Sequence, residues 1–199
     1  VNAVNIGVYK AVGMLRFASQ AAGSPGTVTI GGRTRSTTDF IIGSKNAMAS
    51  GATPTGTLDL RGHTANVAAG SVTIGKEDNS SGVPYPGGAA GYLFFDSGTF
   101  TATNLVMAYR SGINTGALAK AVASLTVSGG VFTVTGGTIT LATQTGTGSA
   151  NATLNLLGGT FRSYADIRTG PSNCTSTVNL DGGTLDMTGR AIGLSSQAG

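Results

Sequence analysis

Short runs of the form apolar-x-apolar recur along the chain, most of them led by Thr or Ser and bordered by glycine, and they fall into three kinds. The first reads TVTI (27–30), TLDL (57–60), SLTV (124–127), TLNL (153–156) and TVNL (177–180), with YLFF (92–95) as a looser copy. The second follows a glycine turn, as GTFTA (98–102), GVFTV (130–134), GTFRS (159–163) and GTLDM (183–187). The third closes each unit, as VNIG (4–7), FIIG (40–43), VTIG (72–75), LVMA (105–108), ITLA (139–142) and AIG (191–193). Alternation with a period of two predicts strands that bury every second side chain.

The order of the three kinds repeats. Val28, Leu58, Leu93, Leu125, Leu154 and Val178 hold the second place of the first strand, at spacings of 30, 35, 32, 29 and 24 residues. Phe100, Phe132, Phe161 and Leu185 share one place in the second strand. In the third, Val4, Phe40, Val72, Leu105, Ile139 and Ala165 align, with Ile6, Ile42, Ile74, Met107, Leu141 and Ile167 two residues on. Like residues at like places are what vertical stacking requires, with equivalent side chains about 4.8 Å apart in columns. Outward Asn and Thr rows are then expected to exchange side-chain hydrogen bonds.

The predicted fold is all-β: a right-handed parallel β-helix, or β-solenoid, of about six coils of three short strands. Its hand is expected from the chirality of parallel crossovers. A β-sandwich also has many short strands, but does not account for a recurring triplet in constant apolar phase. One solenoid domain is expected over residues 1–199, as a segment or subunit of a longer fibre or surface protein.

The variable connection runs from the third strand to the next first strand. It shortens from 19 residues (8–26) to 7 (170–176) along the chain, so the loop excursions are expected on one side of the coil. Two of them, AVGMLRFASQAA (11–22) and GALAKAVA (116–123), carry enough apolar residues for a helical turn or short lid. Tyr9, Leu15, Phe17, Tyr85, Tyr109 and Leu118 are the candidate lateral contacts. Val4, Ile6, Leu185 and Ile192 are candidates for end-to-end stacking, because neither end shows a polar cap and an uncapped solenoid end exposes strand edges.

Composition agrees with strands and turns: 33 glycines in 199 residues, 10% charged, no tryptophan. With 40% hydrophobic residues the chain is not of a disordered type. The net charge of +4 comes from bases scattered between Lys10 and Arg190, read as solvated surface charge rather than as a nucleic-acid face. No membrane span is visible. The single Cys174 allows no internal disulfide and is read as an inert thiol.

Catalytic chemistry finds little to use. Only Glu77 and Asp78 are neighbouring acids, and Asp181 with Asp186 across a Gly-Gly corner is read as turn-stabilising. His63 stands where other coils carry a corner glycine, and one His with one Cys assembles no zinc site. No catalytic, cofactor-binding or metal residue is assigned, and no cofactor. The outward series Thr101, Thr133, Arg162, Asp186 is not the threonine ladder of an ice-binding solenoid. NSS (79–81), NAT (151–153) and NCT (173–175) fit the glycosylation pattern but are expected by chance in so Asn/Ser/Thr-rich a chain.

TLNLLGGTF (153–161) and TVNLDGGTL (177–185), with SLTVSGGVF (124–132) close behind, resemble the autotransporter-associated β-strand repeat of bacterial surface proteins. The corners at IGGRTR and LRGHTA depart from it. The resemblance implies a passenger-like stalk, fibre or adhesin scaffold outside the cell. The expected function is therefore a structural extracellular or cell-surface module, not an enzyme, that associates with itself head to tail or laterally. The alternatives are a carbohydrate-binding adhesin, with surface glycans as partners, and, further off, a polysaccharide lyase-like enzyme.

Overall fold

Alternating side chains of this kind satisfy their backbone only by pairing with a neighbouring strand, and here the neighbour is the next turn of the same chain. A computed structural model describes residues 2–17, 25–32, 36–46, 53–79, 87–112, 120–146, 148–171 and 173–195. They form β1 (Ala3–Val8), β2 (Val12–Arg16), β3 (Thr27–Ile30), β4 (Thr38–Asn46) and β5 (Thr55–Asp59). Next come β6 (Thr64–Asn79), β7 (Ala89–Phe95), β8 (Gly98–Gly112), β9 (Lys120–Val134), β10 (Ile139–Gly146) and β11 (Ser149–Ser163). The last are β12 (Ile167–Thr169), β13 (Cys174–Leu180), β14 (Thr184–Asp186) and β15 (Ile192–Ser195). Every pairing among these strands is parallel, so the chain is an all-β parallel solenoid.

The solenoid has three sides. On the first, Leu15, Leu58, Leu93, Leu125, Leu154 and Val178 stand in register. On the second the column is Ile30, Val67, Phe100, Phe132, Phe161 and Leu185. On the third it is Val4, Phe40, Val72, Leu105, Ile139, Ile167 and Ile192. The expected phenylalanine column is present: Phe100 and Phe132 stack with centroids 4.5 Å apart, and Phe132 and Phe161 stack at 5.4 Å. Phe95 meets both Phe100 and Phe132 edge-on, the arrangement the ring quadrupole favours for a third neighbour. The outward rows also behave as expected, with Asn179 Nδ2 donating to Asn155 Oδ1 at 2.7 Å and Asn155 Nδ2 to Thr126 Oγ1 at 3.4 Å.

Three expectations are corrected. TVTI (27–30) pairs with Thr64–Val67 and so belongs to the second side; the first-side strand of that coil is Val12–Arg16. Both runs alternate in the same phase, and only their partners decide the side. Consequently 11–17 is neither a helical turn nor a lid, and Lys120–Ala123 of the second apolar excursion already lies in β9. Ile139 pairs with Ile167, not with Ala165, because Ala165 sits in a bend closed by its own N–H donating to Ser163 Oγ at 3.2 Å.

The third side carries a bend that shapes the interior. After Ile6, Ile42, Ile74, Met107 and Leu141 comes a residue of positive φ: Gly7, Gly43, Gly75, Ala108 and Ala142. A left-handed residue reverses the in-out phase of the strand that follows it. Here it also drives the backbone toward the first side. A Cβ on Gly43 would collide with the Ala90 carbonyl, and one on Gly75 with the Val122 carbonyl. The facing first-side column is accordingly small: Gly13, Gly56, Gly91, Ala123, Ala152, Ser176.

Candidate functional site

Beyond the bend the reversed phase turns four polar side chains inward. Lys45, Glu77, Arg110 and Gln144 each lie two residues after the left-handed residue of their rung, and they are in register with one another. Lys45 is 1% exposed and Glu77 and Arg110 are fully buried. Arg110 Nε lies 2.9 Å from Glu77 Oε2. The column therefore runs cation, anion, cation, amide, with unlike charges adjacent at every step where both are charged. Burial holds the Lys45 ammonium below the ordinary lysine range, and the Glu77 carboxylate opposes that shift. Two bases expected on the solvated surface, Lys45 and Arg110, are thus interior. The signal was present as IGSK (42–45), IGKE (74–77), MAYR (107–110) and LATQ (141–144), four aligned tetrads with Gly or Ala second.

The candidate contact residues separate. Tyr9 holds the equivalent place in the first rung, but at φ 65° it turns out to solvent and is exposed. Tyr109 is on a strand rather than a loop, with its ring 5.8 Å from Lys76 Nζ. Leu15 is a half-buried member of the first-side column, and half-buried Phe17 packs against His63 with centroids 6.0 Å apart. Tyr85 and Leu118 lie outside the described residues. Ile6 is buried in the core and half-buried Val4 and Leu185 pack against it, whereas Ile192 stands in register with Ile167 but is exposed.

The acids mostly fix corners. Asp39 Oδ1 accepts from Ser71 N–H at 2.7 Å, Asp96 Oδ2 from Gly62 N–H at 2.9 Å, and Asp166 Oδ1 from Ala191 N–H at 3.1 Å. Asp186 pairs with Arg162, whose Nε lies 2.8 Å from Oδ2, which holds the Asp186 carboxyl below its usual range. Its partner is thus an arginine one coil back, not Asp181. Asp59 is lowered likewise by Arg61, whose Nε and Nη2 both reach it at 2.8 Å. His63 is a turn residue as expected, though buried, with Nδ1 3.2 Å from the Arg61 carbonyl. Cys174 is a free, half-buried thiol pushed up by burial.

Several outer grooves gather polar and aromatic groups, among them one lined by Arg16, Phe17, Arg61 and His63, and two more bear on function. One, of about 170 Å³, is lined by Asn5, Tyr9, Asn46, Lys76 and Asp78 along the third side. Its charges are already satisfied, since Lys76 Nζ meets Asp78 Oδ2 at 3.1 Å and Ser111 Oγ donates to the same carboxylate at 2.8 Å. The other, of about 470 Å³, lies at the corner between the second and third sides and is lined by Thr135, Gly136, Thr138, Tyr164, Asp166, Arg168 and Arg190. Sequence reasoning passed over this corner because its residues come from three coils and form no local motif.

Fold and surface together define a parallel β-solenoid repeat protein. No family model, curated protein or solved structure matches the chain. Among the described residues no group of three His, Cys, Asp or Glu side chains is placed to hold a metal ion, and no helix is long and apolar enough to cross a membrane.

Proposed function

We propose that the chain is a structural β-solenoid module of an extracellular or cell-surface stalk or fibre, its rods adding end to end. The observation that carries this is the way the interior columns finish. Leu156 and Ile167 are fully buried, whereas their successors Leu180 and Ile192 are 60% and 50% exposed. A further rung laid on that face continues the columns at the parallel-strand spacing and pairs open strand edges. The resemblance of 153–161 and 177–185 to surface-protein repeats supports the same reading. Negative-stain microscopy of the purified chain, with light scattering across concentration, tests it. Filaments or concentration-dependent oligomers are expected, and Leu180→Glu with Ile192→Lys is expected to abolish them. A strict monomer at high concentration overturns stacking between copies.

A second reading, a carbohydrate-binding adhesin, is favoured by exposed Tyr9 beside the Asn5, Asn46, Lys76 and Asp78 groove, an aromatic face next to hydrogen-bonding groups. Screening the chain against immobilised neutral and charged glycans separates the readings, since a purely mechanical rod shows no saturable ligand.

A further inference from the structure

We propose that the corner groove formed by Tyr164, Arg168 and Arg190 binds a carboxylate-bearing sugar. The proposal rests on the carbohydrate-binding reading but places the contact at a different corner from Tyr9. Arg110 and Arg162 are committed to Glu77 and Asp186, and Arg61 to Asp59. Among the described residues Arg16, Arg168 and Arg190 form no salt bridge, and of these Arg168 and Arg190 line one groove together. Two guanidiniums not consumed by the fold are a fork for a planar anion, because their donors match a carboxylate two at a time.

The other groups narrow the ligand from any anion to a sugar acid. Tyr164 is 43% exposed and lines the groove, which brings an aromatic ring to it. Asp166, which also lines the groove, spends Oδ1 on Ala191 N–H and keeps Oδ2 as a second acceptor. A bare phosphate or acetate has nothing to offer the ring and is repelled by that carboxylate. A hexuronate offers a carboxylate to the arginines, a ring face to Tyr164 and hydroxyl donors to Asp166. A groove of about 470 Å³ is also within the range in which small ligands are held.

The floor is rigid enough to hold such a geometry. Thr135 Oγ1 donates to the Ala102 carbonyl at 3.2 Å, Thr138 N–H to Asn104 Oδ1 at 3.1 Å, and Tyr164 N–H to the Val134 carbonyl at 3.0 Å. Arg168 is pinned by its strand, which pairs with Thr140 on one side and Leu194 on the other. Arg190 is held by a turn in which its N–H donates to the Met187 carbonyl at 2.8 Å.

Calorimetric titration with trigalacturonate, with the neutral galactose trimer and with a sulfated trisaccharide tests the assignment. Saturable binding of trigalacturonate is expected, falling about tenfold or more in Arg168→Ala and in Arg190→Ala, since each removes one bidentate partner. Tyr164→Ala is expected to weaken it as well, and circular dichroism checks that each variant keeps its strands. Trigalacturonate binding that is absent, or unchanged in the double arginine variant, overturns the proposal, as does equal binding of the sulfated chain. Neutral trimer bound equally by wild type and double variant, with no trigalacturonate binding that depends on the arginines, overturns it while leaving the broader carbohydrate-binding reading in place.

Discussion

Replacing Glu77 by Gln removes the one negative charge from a fully buried column and leaves Lys45 on one side and Arg110 on the other. Glu77 and Arg110 are both 0% exposed and in contact at 2.9 Å, so water does not replace the lost partner. Two strand spacings separate the remaining cations, about 10 Å through an interior that screens them poorly. Removing one member of a buried ion pair typically costs about 3–5 kcal/mol, most of it the penalty of an uncompensated charge. An exposed pair typically contributes about 0–1 kcal/mol, so Lys76→Ala, which breaks a half-exposed pair with Asp78 on the outer face of the same rungs, is the control. Equilibrium urea unfolding followed by far-ultraviolet circular dichroism reads both. The expected result is a loss of about 3–5 kcal/mol for Glu77→Gln at unchanged slope and under about 1 kcal/mol for Lys76→Ala. The combined variant Lys45→Met, Glu77→Leu, Arg110→Met is expected to recover most of that loss, because it removes the charges as a set. A Glu77→Gln loss no larger than that of Lys76→Ala refutes the reasoning, and a combined variant less stable than Glu77→Gln refutes the claim that charge rather than packing sets the cost.

Further outcomes follow from the same structure. Phe132→Ala removes the middle ring of the stack and is expected to cost about 3–5 kcal/mol in the same urea assay. Gly75→Ala places a Cβ against the Val122 carbonyl at φ 67° and is expected to destabilise by about 1–3 kcal/mol, whereas Gly136→Ala, with open space around it, is expected to be near neutral. Asp59 and Asp78 both have carboxyls held below the usual range, Asp59 chiefly by its hydrogen bond to Arg61 and Asp78 by bonds to Ser111 and Lys76 that outweigh its burial. A carboxyl lowered by folding stabilises above its unfolded pKa and loses that contribution as pH falls through the folded one. Thermal melts are therefore expected to fall as the pH drops through and below the ordinary carboxylate range, and Asp59→Asn is expected to flatten part of that slope. At the alkaline end Lys45 acts in the opposite sense. Its folded pKa lies below the unfolded one, so the folded chain sheds its proton first, and Lys45 adds stability as pH rises between the two.

Much of the architecture was legible in the chain because a solenoid writes its core as a repeat. Phe100, Phe132 and Phe161 occupy one place in three successive coils, and stacking is the geometry that lets them meet. The outward Asn155 and Asn179 row follows from the same alternation. Alternation specifies which side chains face in, but not which side of the coil a strand belongs to. Val12–Arg16 and Thr27–Ile30 were therefore placed only by their partners Thr55–Asp59 and Thr64–Val67. The buried fate of Lys45, Glu77 and Arg110 depended on a single left-handed residue per rung, which reverses the phase after Gly43, Gly75 and Ala108 and carries charged residues inside. The corner groove was settled by stacking alone, since Thr135, Tyr164 and Arg190 come from three different coils and meet only when those coils are superposed. Sequence by itself thus determined the repeat and its apolar columns, which depend on local alternation. Tertiary structure decided the side of each strand, the interior charges and the groove, which depend on what lies one turn above and below.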